Sequence, residues 1–245
     1  MLLETSKGNR MRWLAPLGGI GLVVVLAGGA QPSRAEGQVV VEFFTSQGCS
    51  TCPPADAIFS DLAKMPGVIA LALHVDYWDY LGWKDPFGKP EHTDRQRGYA
   101  RAQQERTIYT PQMIVQGQDI VKGHEEATIL ERIAAHGSEP APVEVVLSRD
   151  AGGLEIALSL SEGAVGLAEV HVVEYSPEEP MTVEGGENNG YHHVFANVVT
   201  QWSTFALWDG ASPVELRYEA PLGEHVAVLV QKPGNGAMLA GARLP

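Results

Sequence analysis

The chain has 245 residues, with 30 acidic and 17 basic side chains and a formal net charge of −13 at pH 7. So large an excess of acid repels the phosphates of nucleic acids and the anionic headgroups of lipids. We therefore expect no nucleic-acid partner. The length allows one large domain or two modest ones.

Residues 1–35 are typical of a secretory signal peptide. Basic residues precede an apolar run at 13–30, and Ser33-Arg34-Ala35 places small residues three and one positions before a cleavage point. An uncleaved membrane anchor is the alternative, although a proline and several glycines interrupt a run that is close to the length of a bilayer span. We expect cleavage, a periplasmic or secreted protein, and no stable insertion in a membrane afterwards.

Residues 38–137 predict an α/β domain. Three β-rich apolar runs predict buried strands at 39–44, 68–75 and 112–116, with a hairpin partner at 119–122. Helical spacing predicts helices at 55–64, 91–106 and 125–135. A buried strand that is followed by a helix and a further strand indicates a βαβ unit with parallel pairing.

Beyond a linker at 138–142 the pattern changes to short runs of alternating apolar and polar residues. Glycine, proline and acidic turns separate predicted strands at 143–147, 154–160, 170–175, 194–200, 214–218 and 226–231. This pattern is typical of an antiparallel β-sandwich, which we expect over residues 143–245.

Cys49 and Cys52 are the two cysteines of the chain. A structural disulfide stabilises mainly by closing a long loop, which a pair at this spacing does not do, and an oxidising compartment allows the bond to persist. At the start of a helix, the partial positive charge favours the thiolate of Cys49, and Cys52 is within reach to resolve a mixed disulfide. The pair therefore predicts thiol–disulfide exchange, with Cys49 as nucleophile and Cys52 as resolving thiol.

Two alternatives stay open. A Cys-x-x-Cys pair also occurs in metal sites, and a histidine from the polar turn at 185–193, His192 or His193, would make a copper-binding or metallochaperone protein if that turn faces the cysteines. His74 is a further histidine that is available as a ligand. The other alternative is an interaction module whose disulfide is never cycled. We assign no metal ligand and no cofactor, and whether the protein is an enzyme is left open.

An aromatic loop at 76–87 follows the second predicted strand. Core packing is the default explanation for its aromatic residues, but the interleaved Asp, Gly and Lys residues keep part of the loop from being buried. Ligands gather at the carboxyl ends of strands in open α/β folds. We therefore expect Trp78 or Trp83 to form part of a surface that binds a partner protein near Cys49.

Residues 38–136 resemble a thioredoxin-like domain. More closely, a set of motifs resembles the secreted bacterial family known as domain of unknown function 1223: FFTSQGCSTCPPAD at 43–56, HVDYWDY at 74–80, GWKDPF at 82–87, YTPQM at 109–113, GENNG at 186–190 and NVV at 197–199. The resemblance implies a thioredoxin-like domain with a β-rich companion, and it supplies no substrate.

The thioredoxin-like resemblance also implies roles for individual residues. It implies that Thr110 and Pro111 are joined by a cis bond, lie against the disulfide and align the substrate; a trans proline that starts an edge strand is the alternative. Related proteins carry an acid six positions before the first cysteine, whereas Glu42 stands seven positions before Cys49. Glu42 is a candidate proton acceptor for Cys52, unless strand alternation turns it away.

Taken together, the sequence predicts an α/β thioredoxin-like domain at 38–137, followed by a mostly antiparallel β-sandwich domain at 143–245. The predicted function is that of an exported thiol–disulfide oxidoreductase. Its partners are a protein that supplies the thiol or disulfide substrate and a separate redox partner.

Overall fold

The structure, a computed structural model, describes residues 33–34 and 38–244. The predicted signal peptide at 1–35 lies outside the described residues, except for Ser33–Arg34, which form the short strand β1. Within the described ranges, no helix has both the length and the apolar composition that a bilayer span requires.

Strands and helices alternate from residue 38 to residue 137. The strands are β2 (Val39–Thr45), β3 (Val68–His74), β4 (Gln112–Val115) and β5 (Asp119–Lys122). The helices are α1 (Pro53–Leu62), α2 (Pro90–Ala102) and α3 (Glu126–Gly137), with a short 3₁₀ helix at Asp79–Leu81. α1 begins with two prolines, whose missing N–H groups are tolerated in a first helical turn.

From residue 143 to residue 243 the described regular elements are strands. They are β6 (Val143–Asp150), β7 (Gly153–Leu160), β8 (Ala168–Thr182), β9 (His192–Trp208), β10 (Val214–Tyr218), β11 (Val226–Gln231) and β12 (Met238–Arg243).

One mixed sheet of eight strands has the order β12-β11-β8-β9-β3-β2-β4-β5. β2 and β3 pair in parallel, with Thr45 opposite His74, and α1 connects them as the βαβ pattern predicted. β9 lies parallel to β3, with Val198 opposite Ala72. Because β9 also pairs with β8, both halves of the chain contribute to the same sheet.

The expected thioredoxin-like α/β domain followed by a β-sandwich domain is therefore wrong. The described chain is mostly β, and its large mixed sheet runs through both halves. The reason lies in β8 and β9, which extend over 15 and 17 residues, far beyond the predicted runs. A turn was expected between the predicted strands at 170–175 and 194–200, a stretch that contains Pro177 and Pro180. Because β11 pairs with β8 only up to Glu174, both prolines occupy an edge where a missing N–H is tolerated.

The remaining strands form a second sheet in the order β1-β6-β7-β10, which packs against the β8, β11 and β12 part of the large sheet. β2 separates two other apolar cores. Phe43 stacks on Phe59 of α1 with ring centroids 4.9 Å apart, whereas Phe44 packs on Tyr99 of α2. We call these two sides of the sheet the α1 face and the α2 face.

Candidate functional site

Cys49 and Cys52 form a disulfide at the start of α1, where Cys52 is the N-cap residue. Cys49 is 2% exposed and Cys52 is 0% exposed. Ser50 and Thr51 between them are exposed. The disulfide therefore lies directly beneath the protein surface, covered by its own loop and by neighbouring segments.

The start of α1 offers fewer N–H donors to a thiolate than the sequence argument assumed. The first two helical residues, Pro53 and Pro54, have no N–H group, and the N–H of Ala55 donates to the carbonyl of Cys52. A hydroxyl group is close instead, because Thr51 Oγ1 lies 3.5 Å from Cys49 Sγ. Thr51 is thus placed to donate a hydrogen bond to a Cys49 thiolate.

The Thr110–Pro111 peptide bond is cis, as predicted. Pro111 lies close to the helix that carries the cysteines, since a Cβ added to Gly123 would stand 2.7 Å from Pro111 Cβ and 3.1 Å from Ala55 Cβ. Gly123 is required here because any side chain would collide with Pro111. The structure therefore brings Pro111 next to the first turn of α1.

The two tryptophans that were predicted to bind a partner are half-buried and hydrogen-bonded. Trp78 Nε1 donates to Thr110 Oγ1 at 2.8 Å, and Trp83 Nε1 donates to Gln47 Oε1 at 2.8 Å. Both indoles therefore help to hold the loops around the cysteines. Tyr80 is 77% exposed and is the aromatic residue that this loop presents to solvent. The partner-binding role of Trp78 and Trp83 stays a prediction.

The connection between β8 and β9, residues 183–191, lies against the cysteine loop. We call it the β8–β9 tip. Asn188 Nδ2 donates to the carbonyl oxygens of Gln47, at 2.9 Å, and of Cys49, at 2.8 Å. Gly185 packs on Trp83, because an added Cβ would stand 3.2 Å from the indole ring. An asparagine, and not a histidine, thus connects this turn to the cysteines.

The paired histidines lie beside the tip. His192 Nδ1 is 2.6 Å from Thr182 Oγ1, and His193 Nε2 is 3.4 Å from Ser60 Oγ on α1. His193 also lines an open cleft of about 610 Å³ between α1 and the β8–β9 hairpin. In the part of the chain that the structure describes, no group of three or more His, Cys, Asp or Glu residues is arranged to hold a metal ion.

Glu42, the predicted proton acceptor, lies on the α2 face. Its carboxylate forms a bidentate pair with Arg95, at 2.5 and 2.8 Å, and accepts a hydrogen bond from the hydroxyl of Tyr99. The residue six positions before Cys49 is Phe43, and this one faces α1. Because strand side chains alternate, the single extra residue in the loop turns Glu42 away from the helix that carries the cysteines.

Asp56 is a buried acid on the α1 face, four residues after Cys52 and therefore on the same side of α1. Its Oδ1 accepts a hydrogen bond from Thr45 Oγ1 at 2.9 Å. Burial raises the pKa of Asp56 to about 7, although the charge of His74 and the bond from Thr45 act in the opposite direction. A carboxyl group with this pKa takes up and releases a proton near neutral pH.

Sequence reasoning missed Asp56, although the sequence contained a signal for it. Asp56 stands between Ala55 and Phe59 on the side of α1 that helical spacing marks as buried. A charged residue in that position is unusual, and its spacing of four from Cys52 places the two side chains one turn apart.

His74 and Asp85 extend the buried polar group. His74 Nδ1 lies 2.7 Å from Asp85 Oδ2, and both side chains are fully buried. Asp85 also accepts hydrogen bonds from the N–H groups of Gln47, at 2.8 Å, and Phe87, at 2.9 Å. Burial alone would raise the pKa of Asp85, but the charge of His74 and these hydrogen bonds outweigh it and hold the pKa below its ordinary value.

Comparison with known proteins gives a family and a fold. The family model described as a protein of unknown function, DUF1223, matches residues 40–231. No curated protein matches the chain significantly. A protein of Agrobacterium tumefaciens, whose crystal structure is known, is 32% identical, with a TM-score of 0.72 over 88% of this chain and 96% of that one. HBP35 of Porphyromonas gingivalis, at 16% identity and a TM-score of 0.54 over 85% of this chain and 75% of that one, is similar in fold alone. The motifs around Cys49 and the match over most of the chain agree, and the protein belongs to the DUF1223 family.

Proposed function

We propose that the protein is exported and exchanges disulfides with partner proteins through Cys49 and Cys52. The observation that carries this proposal is a disulfide between two cysteines only three positions apart at the start of α1, with Asp56 one helical turn away. So short a disulfide loop contributes less to stability than one that closes a long loop. A buried acid with a pKa near 7 beside a reactive pair is the kind of group that a proton-transfer step requires.

In the reducing direction, the Cys49 thiolate attacks one sulfur of a partner disulfide, forms a mixed disulfide and releases one partner thiolate. Cys52 then gives its proton to Asp56 and attacks the sulfur of Cys49, which releases the second partner thiolate and forms the Cys49–Cys52 disulfide. Two electrons pass to the partner, whose two thiolates take up protons from solvent. Oxidation of a partner dithiol is the reverse sequence, which starts from the disulfide in the structure.

The surroundings of the two sulfurs support this order of attack. Cys49 is followed by exposed residues and has the hydroxyl of Thr51 within 3.5 Å of its sulfur. Cys52 is fully buried at the N-cap, close to Asp56 along the helix. A partner sulfur therefore meets Cys49 first, and Cys52 acts within the mixed disulfide.

Trapping of the mixed disulfide tests the proposal. A reduced full-length Cys52→Ser variant, mixed with a peptide that contains a disulfide, is expected to accumulate a covalent adduct on Cys49. The matched Cys49→Ser variant is expected to form none, because Cys52 is held at the N-cap of α1 with no exposed surface, whereas Cys49 stands beside the exposed Ser50. Mass spectrometry identifies the adduct. A Cys49–Cys52 potential above about −300 mV is expected of a cycled pair; no adduct, together with a potential far below that value, would overturn the proposal.

Titration of the reduced protein with Cu(I) separates the copper hypothesis from disulfide exchange. Disulfide exchange predicts an adduct in the trapping experiment, whether or not the thiolates also bind copper. Stoichiometric Cu(I) binding that disappears in Cys49→Ser, with no adduct in Cys52→Ser, would replace disulfide exchange by metal binding.

A further inference from the structure

The strongest unexplained feature of the molecule is one nitrogen of His74. His74 ends β3, and its side chain is fully buried. Within residues 38–244, Nε2 of this ring has no hydrogen-bond partner. Buried polar atoms are nearly always paired, so an unpaired one is a candidate for a functional role.

Asp85 determines which nitrogen of His74 is free. The Asp85 carboxylate already accepts hydrogen bonds from the N–H groups of Gln47 and Phe87, which favour its ionised form whether or not His74 is charged. An ionised carboxylate at 2.7 Å requires a donor, so Nδ1 of His74 carries the proton. In the neutral ring, Nε2 then has a lone pair and can accept a proton.

His74 and Asp56 belong to the same side of the sheet. Thr45 is opposite His74 in the β2–β3 register, and Thr45 Oγ1 donates to Asp56 Oδ1. The two groups also interact electrostatically, since a positive charge on His74 lowers the pKa of Asp56. Asp56 in turn is one helical turn from Cys52. The order from the disulfide inward is thus Cys52, Asp56, His74 and Asp85.

Other groups around His74 do not compete for the proton. The rings of Phe87 and Phe195 contact the imidazole edge-on, each with its centroid 5.2 Å away, and keep the site apolar. The titratable groups that face His74 are Asp56 from α1, Asp85 from the loop before α2, His92 from α2 and His193 from β9. Burial lowers the pKa of both neighbouring histidines, that of His92 to about 4, so both stay neutral at pH 7.

We propose that His74 is the second acceptor in a proton relay, in which Asp56 passes the proton of Cys52 to His74 Nε2 and Asp85 positions the ring. This inference rests on the proposed function. When Cys52 attacks the mixed disulfide, its proton moves to the Asp56 carboxylate and from there to Nε2, through one bridging water, because Asp56 makes no direct hydrogen bond to Nε2. The resulting imidazolium is stabilised by ionised Asp85. In the opposite direction the proton returns to the leaving thiolate of Cys52, so no further reactant is needed.

The test compares His74→Asn with the wild-type protein. Asparagine keeps an N–H donor near the position of Nδ1, so the bond to Asp85 is retained while the acceptor at Nε2 is lost. The measurement is the rate at which Cys52 resolves a mixed disulfide with thionitrobenzoate on Cys49, followed from pH 5 to pH 9. We expect resolution at pH 7 to be slowed at least about tenfold, because a positioned base contributes about 10²–10⁴-fold and Asp56 retains part of this.

His171→Asn is the matched control. His171 is also buried, and its Nε2 has no hydrogen-bond partner, although Glu169 Oε2 lies 3.7 Å away. Its Nδ1 is 3.1 Å from Thr204 Oγ1, but it lies away from the cysteines on β8. Its pH profile is expected to follow the wild type. A second measurement needs no variant of His74: in the ¹⁵N spectrum of histidine-labelled wild-type protein, the midpoint at which Nε2 titrates is expected to move when the disulfide is reduced.

The outcomes separate the relay from the function on which it rests. A His74→Asn profile that equals the wild type, with normal trapping in Cys52→Ser, would overturn the relay and leave disulfide exchange standing. If His74→Asn does not fold, an Nε2 midpoint that is the same in the oxidised and reduced protein overturns the relay. Failure of the wild type to form any mixed disulfide would overturn the proposed function itself.

Discussion

Two buried carboxyl groups lie on opposite faces of the same part of the sheet, and their surroundings differ. On the α2 face, Glu42 has a bidentate partner in Arg95 and a hydrogen bond from Tyr99. On the α1 face, Asp56 accepts a hydrogen bond from Thr45, and its pKa rises to about 7. A fully paired charge such as Glu42 therefore stabilises the fold, whereas a buried acid such as Asp56, which makes no ion pair like that of Glu42 with Arg95, keeps an exchangeable proton.

The position of Arg95 explains why the buried charges on the α2 face must be paired with each other. Its guanidinium stacks on Trp202 of β9, 3.8 Å from the ring centroid, and donates to Gln231 of β11 at 2.9 Å. Glu42 of β2 and Arg95 of α2 therefore connect the first half of the chain to the second. The charges of Glu42 and Arg95 have a structural role, and we expect mutations in this network to affect stability more than disulfide exchange.

The largest expected effect is that of Glu42→Gln. Loss of the carboxylate leaves Arg95 as a buried charge without its partner, which we expect to lower the free energy of unfolding by about 3–5 kcal/mol. Urea denaturation measures it. Asp94→Asn is the control, because Asp94 pairs with Arg97 on the exposed side of α2 and is expected to matter little. Slower disulfide exchange without a loss of stability would return the proton role to Glu42.

Asp56→Asn is expected to act in the opposite direction on stability. The pKa of Asp56 is about 7 in the folded protein and 3.8 in the unfolded chain, so the folded state binds the proton more tightly and loses stability as pH rises from 4 to 7. At pH 8 the variant is expected to be more stable by up to about 4 kcal/mol, at about 1.4 kcal/mol per pKa unit. The gain should vanish near pH 4, while mixed-disulfide resolution slows.

Asp61→Asn on the exposed side of α1 is the control for this measurement. Denaturation curves at pH 4, 6 and 8 give the difference at each pH. A stability difference between Asp56→Asn and wild type that does not change with pH would show that Asp56 is an ordinary ionised carboxylate.

His171 lies on the α2 face and gives the opposite pH dependence. Burial lowers its pKa from 6.5 to about 3, so the unfolded chain binds a proton that the folded protein excludes. The folded state therefore loses stability as pH falls below 6.5. His171→Gln is expected to reduce the loss between pH 7 and pH 4 by about 3 kcal/mol. His124→Gln, at an exposed position, serves as the control, and equal acid sensitivity of the two variants would contradict the prediction.

The smallest expected effect concerns access to the disulfide. Asn188→Ala removes two hydrogen bonds to the cysteine loop, each with a net value of about 1 kcal/mol. We expect dithiothreitol to reduce the Cys49–Cys52 bond about three to ten times faster than in the wild type. The neighbouring Asn189→Ala, at an exposed position, should leave the rate unchanged. Equal rates in both variants would mean that the β8–β9 tip does not limit access.

The sequence predicted the local elements well because their patterns are local. The strands at 119–122, 214–218 and 226–231 have the predicted bounds, and the three helices lie within a few residues of their predicted positions. The arrangement of the strands was not predictable in the same way. That β9 pairs with β3 depends on contacts between residues more than 100 positions apart, such as Asn197 Nδ2 with the carbonyl of Ala70.

The candidate site shows the same division. The cysteines and the cis bond before Pro111 followed from motifs, whereas the choice between Glu42 and Asp56 depended on which side of a strand or helix each residue occupies. One extra residue before Cys49 decided it, through the two-residue period of β2. The free Nε2 of His74 could not be predicted from the sequence, because it follows from the hydrogen bond that Asp85 makes with Nδ1 of the same ring.

The pairing of β9 with β3 has a consequence for how the chain tolerates truncation. All seven residues of β3 are buried, and β2 satisfies only one of its two edges. A fragment that ends near residue 137 would present the other edge as a flat apolar strand with unpaired N–H and carbonyl groups, which is a template for aggregation. We therefore expect the first half of the chain to be prone to aggregation during synthesis until β9 pairs with that edge.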